Sequence, residues 1–129
     1  MGNNIQQNFL NYCGTGNFIE VKELLKDPNV DPSYNNYAIR YASYRGHIGV
    51  VKELLKDPRV DPSGNYNYAI RYSSMNGHVD VVRDLLKDPR IDKQELLNSD
   101  ITNELRNEIL DYLTEVRGES INKVLDIDI

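Results

Sequence analysis

His47 and His78 are the only histidines, and each directly follows a glycine. They hold the same place in two copies of one motif, so a shared zinc ion is the first chemistry to weigh. Equivalent positions on packed helices lie about 8–10 Å apart. A zinc ion needs both nitrogens at about 2.0–2.1 Å. The two rings therefore make no metal site by themselves. A structural role is expected, with each imidazole hydrogen-bonded to loop backbone. Cys13 is the single cysteine. A reactive thiol needs an electropositive neighbourhood, and no histidine stands near Cys13 in the repeat plan, so a small buried filler is expected. The short "GTG" at Gly14–Gly16 precedes no strand–loop–helix unit and cradles no phosphate. Glu53, Asp57 and Asp84 alternate with lysine and arginine, as on a solvated helix face. No catalytic constellation emerges, so the chain is expected to be no enzyme and to use neither cofactor nor metal.

The bulk composition agrees with a binding or structural role. The chain has 129 residues, 40% hydrophobic and 27% charged, which suits one globular domain. Its net charge of -5 argues against nucleic acid, whose binders carry a basic stripe, and against docking on anionic lipid. No apolar run approaches a membrane span. The opening "MGNNIQQNFL" has no secretory pattern, and Gln6 stands where a myristoylation motif wants Ser or Thr. One cysteine excludes an internal disulfide and fits a reducing compartment, so an intracellular, cytoplasmic location is expected.

The elements that would position these residues come in copies. Tyr37–Asp61 and Tyr68–Asp92 share about two-thirds of their residues at a spacing of 31. A looser copy upstream sets Phe9 on Ile39, Gly16 on Gly46, Val21 on Val51 and Asp27-Pro28 on Asp57-Pro58. Each unit reads as two short helices. In the first, "NYAIRYASYR", Ala38, Ile39 and Ala42 recur at helical spacing. Asn36 and Asn67 are expected N-caps, and Gly46 and Gly77 are expected left-handed stops. In the second, "IGVVKELLK", Ile48, Val51, Leu54 and Leu55 form the apolar face, and Asp57-Pro58 ends it. "RVDPS" then reads as extended, because Pro62 biases Asp61 out of the helical region. Helices this short are unstable alone. Each unit must bury its face on the next, which makes a solenoid. The interface between the second and third units is expected to be strongest, because their sequences are most alike.

"YAIRYASYRGHIGVVKELL" resembles the ankyrin repeat through Ile39, Ala42-Ser43, Gly46-His47, Val50-Val51 and Leu54-Leu55. The next copy matches through Ile70, Ser73-Ser74, Gly77-His78, Val81-Val82 and Leu85-Leu86. The resemblance implies an all-α ankyrin-like solenoid of three helix-turn-helix repeats, approximately 5–33, 34–63 and 64–92, with helical capping residues 93–129. Its loops, "KDPRVDPS", look like those of ankyrin proteins in large DNA viruses of protists, which would place the chain in host cytoplasm. Tyr37 and Tyr68 stand in the family's Thr slot, and Arg40 and Arg71 in its His slot. The usual Thr–His hydrogen bonding is therefore absent. The shortened period implies stubby fingers between repeats.

After Asp92 the pattern breaks. "KQELLNS" reads as a short helix, and "DITNELRNEILDYLTEVRG" as a longer one, with Ile101, Leu105, Ile109 (or Leu110) and Leu113 as its apolar seam and Gly118 as its stop. A terminal cap is expected, because an uncapped stack exposes an apolar face. The stretch also resembles a shortened F-box opening through Ile101, Glu104, Leu105, Ile109, Leu110, Tyr112 and Leu113. Thr102 stands where that motif has proline. This second resemblance implies recruitment of a ubiquitin-ligase component. Burial of Leu105, Ile109 and Leu113 on the third repeat would favour the cap.

Seven of the nine tyrosines lie between Tyr34 and Tyr72. The ankyrin resemblance implies that Tyr41, Tyr44 and Arg45 in one repeat, and Tyr72, Met75 and Asn76 in the next, project into a concave groove. Asn11, Gly14 and Thr15 do so in the first. Tyr34 and Tyr66 sit at turn tips, whereas Tyr37 and Tyr68 are expected to cover the groove floor. Tyrosine and arginine are enriched at binding hot spots. The expected function is capture of a protein partner by a monomer. A bare repeat scaffold without a partner is the plainer alternative.

Overall fold

The structure is a computed structural model that describes residues 4–125. Among these residues there are α-helices and short 3₁₀ and π segments but no strand. Three helix pairs follow one another: α1 (Ile5–Thr15) with α2 (Phe18–Leu24), α3 (Tyr37–Arg45) with α4 (Ile48–Leu55), and α5 (Gly64–Met75) with α6 (Val79–Lys87). α1, α3 and α5 pack side by side in one row, and α2, α4 and α6 form a second row behind it. The core runs along the seam between rows. Phe9, Ile39 and Ile70 occupy one slot in successive repeats, and Val21, Val51 and Val82 another; all are buried. Burying such a side chain is worth about 1.5–3 kcal/mol, and each repeat obtains it only from its neighbours.

The Gly-His pair sets both the corner and the joint. After α3 the chain turns left-handed at Gly46 (φ 76°), and the His47 N–H returns to the Ala42 carbonyl at 2.9 Å. This closes a Schellman motif. The ring of the histidine then reaches back one repeat. His47 Nε2 lies 3.0 Å from the Gly14 carbonyl, and His78 Nε2 lies 3.0 Å from the Tyr44 carbonyl. The backbone partner is therefore not loop, as expected, but the last turn of the preceding repeat's first helix. His78 also covers Gly46 so closely that a Cβ there would collide with its ring, whereas Gly77 has open space.

Two local expectations fail for physical reasons. Asn36 holds the N-cap position of α3 and Asn67 lies inside α5, but neither side chain caps its helix, and both sit at positive φ (55° and 60°). Asparagine serves a left-handed turn as well as a cap, and here Asn35-Asn36 and Asn65-Tyr66-Asn67 swing the chain into the first helix of each pair. "RVDPS" is not extended. Asp61 accepts from the Ser63 N–H (3.0 Å) and hydroxyl (2.7 Å), which folds the segment into a tight turn over buried Val60 and Pro62.

After the third repeat, Asp92 caps α7 (Lys93–Leu97) through the Glu95 N–H, and Thr102 caps α8 (Asn103–Asp111) through the Leu105 N–H. α8 runs on into a π-helical turn, Tyr112–Val116, and Gly118 (φ 70°) follows. A further short helix, α9 (Ile121–Val124), buries Val124. The last four residues of the expected 93–129 cap lie outside the described residues. α8 packs on α5 and α6. Leu105, Ile109 and Leu113 are 1%, 0% and 4% exposed, so the seam is committed to the third repeat.

Candidate functional site

The row of α1, α3 and α5 carries the tyrosines. Tyr41, Tyr44 and Arg45 on α3, and Met75 and Asn76 at the end of α5, are exposed, while Tyr72 is half-buried. Tyr37 and Tyr68 are half-buried, as groove floor should be. The rings form two stacks. One joins Tyr34, Tyr37 and Tyr41, with centroids 6.3 and 5.3 Å apart. The other joins Tyr68, Tyr72 and Tyr44, at 4.1 and 6.2 Å.

Arg40 bridges the two stacks, and the sequence had given no sign of this. Its guanidinium carbon lies 5.3 Å from the Tyr37 ring centre and 4.5 Å from that of Tyr68, one repeat on. Nη1 reaches the Asn35 carbonyl at 3.4 Å, and Nε is buried without a hydrogen-bond partner among the described residues. Such a contact is worth about 2 kcal/mol when desolvated. The signal, visible only afterwards, is the Tyr-x-x-Arg spacing, which sets both side chains on one helix face.

Two predicted residues stand apart from the stacks. Asn76 is exposed, but its amide nitrogen is committed to the Tyr44 carbonyl at 2.9 Å, beside His78 on the same oxygen. Tyr66 is 90% exposed at φ 58°, a conformation that is unusual for a bulky residue and costs on the order of 1–3 kcal/mol.

At the first-repeat end of the row, Leu10, Asn11, Gly14 and Thr15 face Tyr41 and Arg45 across a hollow of about 530 Å³. Elsewhere a smaller hollow, about 380 Å³, lies between Ile5, Tyr12, Ile19 and Leu24. It is on the face of the first repeat that corresponds to the joined face of the second.

The opposite side of the molecule holds the repeats together. Glu53, Asp57 and Asp84 are not solvated: their side chains are only 15%, 13% and 18% exposed. α4 packs on α6 beside Glu53 and Asp84, and Asp57, past the end of α4, lies against Arg59. Asp57 grips Arg59 at 3.0 and 2.7 Å, and Asp88 grips Arg90 at 2.9 and 2.7 Å. Each arginine reaches carbonyls of the preceding repeat, Arg59 those of Val30 and Leu25, Arg90 those of Val60 and Leu55. At the cap, Lys93 takes over, donating to the Asp88 and Ile91 carbonyls at 2.9 and 3.0 Å. The hydrogen bonds from Arg59 and Arg90 hold Asp57 and Asp88 below the usual carboxylate range, and burial pulls Lys93 down. Cys13 is fully buried, and burial pushes its thiol up to about 12. It fills the core, as a small buried residue should.

Paired short helices, stacked in register and joined by Gly-His corners, define a helical-repeat solenoid with an exposed aromatic row. A family profile described as "Ankyrin repeats (3 copies)" matches residues 10–96, and the chain belongs to the ankyrin-repeat family. No curated protein and no solved structure matches the chain. No helix among the described residues is long and apolar enough to cross a membrane.

Proposed function

We propose that the chain is a non-catalytic binding module that holds a protein partner against the row of α1, α3 and α5, acting as a monomer. Ankyrin repeats are generally protein–protein interaction modules and typically non-catalytic, so the family supports the class. The observation that carries the reading is the continuous ladder Tyr34–Tyr37–Tyr41 and Tyr44–Tyr72–Tyr68, joined through Arg40 and flanked by exposed Arg45 and Met75. Stacking holds these rings in place before binding, so little side-chain entropy remains to be lost. The viral style of the loops supports a host protein as the partner.

An adaptor role for residues 101–113 draws no support from the packing. Leu105, Ile109 and Leu113 are already buried, and α8 packs on α5 and α6. A recruiter would have to pull them out.

The test is affinity capture from lysate with two baits, the wild-type chain and Tyr41→Ala/Tyr44→Ala/Arg45→Ala, followed by calorimetry on the purified candidate. All three side chains are exposed, so the variant should keep its circular dichroism, with a melting temperature lowered by the lost Tyr37–Tyr41 and Tyr44–Tyr72 contacts, at about 0.5–1.5 kcal/mol each. A partner whose affinity falls at least tenfold on the variant supports the groove. Equal affinity for both baits moves the site elsewhere, and the absence of any partner leaves the bare scaffold.

A further inference from the structure

The charge on the row of α1, α3 and α5 differs in sign from that of the whole chain. The protein carries a net charge of -5. Yet α1, α3 and α5 contain Arg40, Arg45 and Arg71 and no carboxylate. The acidic residues lie on the other helices, the loops and the cap. Two of the three arginines are engaged. Arg40 is held between Tyr37 and Tyr68, and Arg71 Nη1 lies 3.5 Å from the Tyr66 carbonyl. Arg45 is exposed on the wall of the hollow and has no hydrogen-bond or ion-pair partner among the described residues.

The rest of that wall is biased the same way. Three of its acceptors are taken. The Gly14 carbonyl is held by His47 Nε2 at 3.0 Å, the Asn11 side-chain oxygen by Gln7 Nε2 at 3.0 Å, and the Asn11 carbonyl by the Thr15 hydroxyl at 2.9 Å. The fixed oxygen of Asn11 leaves its amide N–H groups as free donors, beside the guanidinium of Arg45. Leu10 and the Tyr41 ring supply apolar cover. A wall whose free donors are Arg45 and the Asn11 amide, and three of whose acceptors are engaged, favours an anionic group. A planar guanidinium matches a carboxylate with two parallel bonds.

Resting on the binding-module reading, we propose that the hollow bounded by Leu10, Asn11, Gly14, Thr15, Tyr41 and Arg45 is a carboxylate subsite. It takes an aspartate or glutamate side chain from an extended, acidic segment of the partner protein, with a neighbouring apolar residue on the tyrosine ladder. The charge pattern favours a peptide over a nucleic acid. One free cation serves one carboxylate, whereas a phosphate backbone wants a run of cations.

The test is selection of a displayed random dodecapeptide library on the full chain, followed by fluorescence anisotropy with the best peptide synthesised in acidic and amide forms. The expected result is an enriched Asp or Glu at a fixed position. Its replacement by Asn or Gln should weaken binding to wild type about tenfold, as loss of a charge-assisted bond does. Arg45→Gln should bind the two forms alike, and Arg45→Lys should restore part of the preference. Peptides that need Tyr41 and Tyr44 but ignore the amide exchange overturn the subsite and leave the groove standing. Peptides indifferent to Tyr41→Ala/Tyr44→Ala overturn both. A selection that yields no peptide overturns the subsite, while the capture experiment still decides the groove. Tighter groove-dependent binding of a labelled mixed-sequence RNA overturns it as well.

Discussion

Removing the Arg90 side chain should cost far more stability than removing that of Arg59, although both stand in the same "KDPR" stretch. Arg90 donates to the Leu55 carbonyl at 2.9 Å and to the Val60 carbonyl, and its side chain is 33% exposed. Arg59 makes the corresponding contacts at 3.3 and 3.4 Å, and its side chain is 46% exposed. Hydrogen bonds from a charged donor are worth about 1.5–3 kcal/mol each, and strength falls off toward the outer distance limit. Two good bonds at the low end of that range give about 3 kcal/mol for Arg90→Ala. The Asp88 ion pair adds little, because a part-exposed pair is worth under about 1 kcal/mol and Asp88 keeps the Arg90 backbone N–H. Arg59→Ala should lose about 1 kcal/mol on the same reckoning. For a chain of this size, 1 kcal/mol moves the melting temperature by about 3–5 °C. The assay is urea unfolding followed by far-ultraviolet circular dichroism, with thermal melts alongside. Arg90→Ala should melt about 10 °C below wild type and Arg59→Ala about 4 °C below. Arg90→Lys should fall between, because one ammonium cannot reach both carbonyls and Asp88. Equal losses would refute the ranking by distance, and a loss of less than about 1 kcal/mol for Arg90→Ala would refute the idea that this arginine joins repeats.

Three further outcomes test other joints. Gly46→Ala and Gly77→Ala should both suffer from left-handed backbone, at about 1 kcal/mol, but Gly46→Ala should lose about 3 kcal/mol because its Cβ also meets the His78 ring; equal melts would refute the cross-repeat fit. Cys13 should resist Ellman's reagent at pH 8 in the native state and react at once in urea, since the thiol is fully buried and pushed up to about 12. Rapid native labelling would contradict the packing. Asp57 and Asp88 titrate below their unfolded value of about 3.9. Their contribution is thus complete above that value and is lost as pH falls through the lower folded one. Stability should drop steeply on acidification below about pH 4, with a shallower drop in Asp88→Asn; an unchanged slope would remove Asp88 from the account.

The helix pairs and their order could be read before the structure, because they are punctuated by residues with one physical use. Gly46 and Gly77 stop a helix, Asp57-Pro58 stops the next, and the recurrence of both defines the unit. Asparagine has two uses, and so Asn36 and Asn67 were misread: a cap and a left-handed turn look alike in one dimension. The inter-repeat clamps escaped for a different reason. The acceptors for Arg90 are carbonyls of Leu55 and Val60, in the repeat before it, and carbonyls carry no sequence signal. One trace was available. The first copy has Asn29 where the next two have Arg59 and Arg90, and the arginine occurs where a preceding repeat supplies oxygen. Glu53 and Asp84 looked solvated because a helical wheel shows one helix and not the neighbour stacked on it. For the groove, the tyrosine positions followed from the family resemblance, whereas their pairing depended on rotamers. Only Arg40 joins the two stacks, and its type alone did not reveal that.

The departures from the ankyrin pattern and the proposed binding surface are two aspects of one exchange. In the family's pattern, Thr and His open the first helix of each repeat. Here the same slots hold Tyr37 with Arg40, and Tyr68 with Arg71. The small polar network is replaced by stacking, and the stack crosses the repeat boundary where Arg40 meets Tyr68. Aromatic rings in those slots need partners on the groove side. Tyr41 and Tyr72 provide them at 5.3 and 4.1 Å. A substitution at the helix start thereby propagates one turn along the helix and into the groove. The joint itself is secured on the far side by the Asp-Arg clamps and by Lys93 at the cap. Because those clamps carry the register, the exposed ring edges of Tyr41 and Tyr44 are free to meet a partner without loosening the stack.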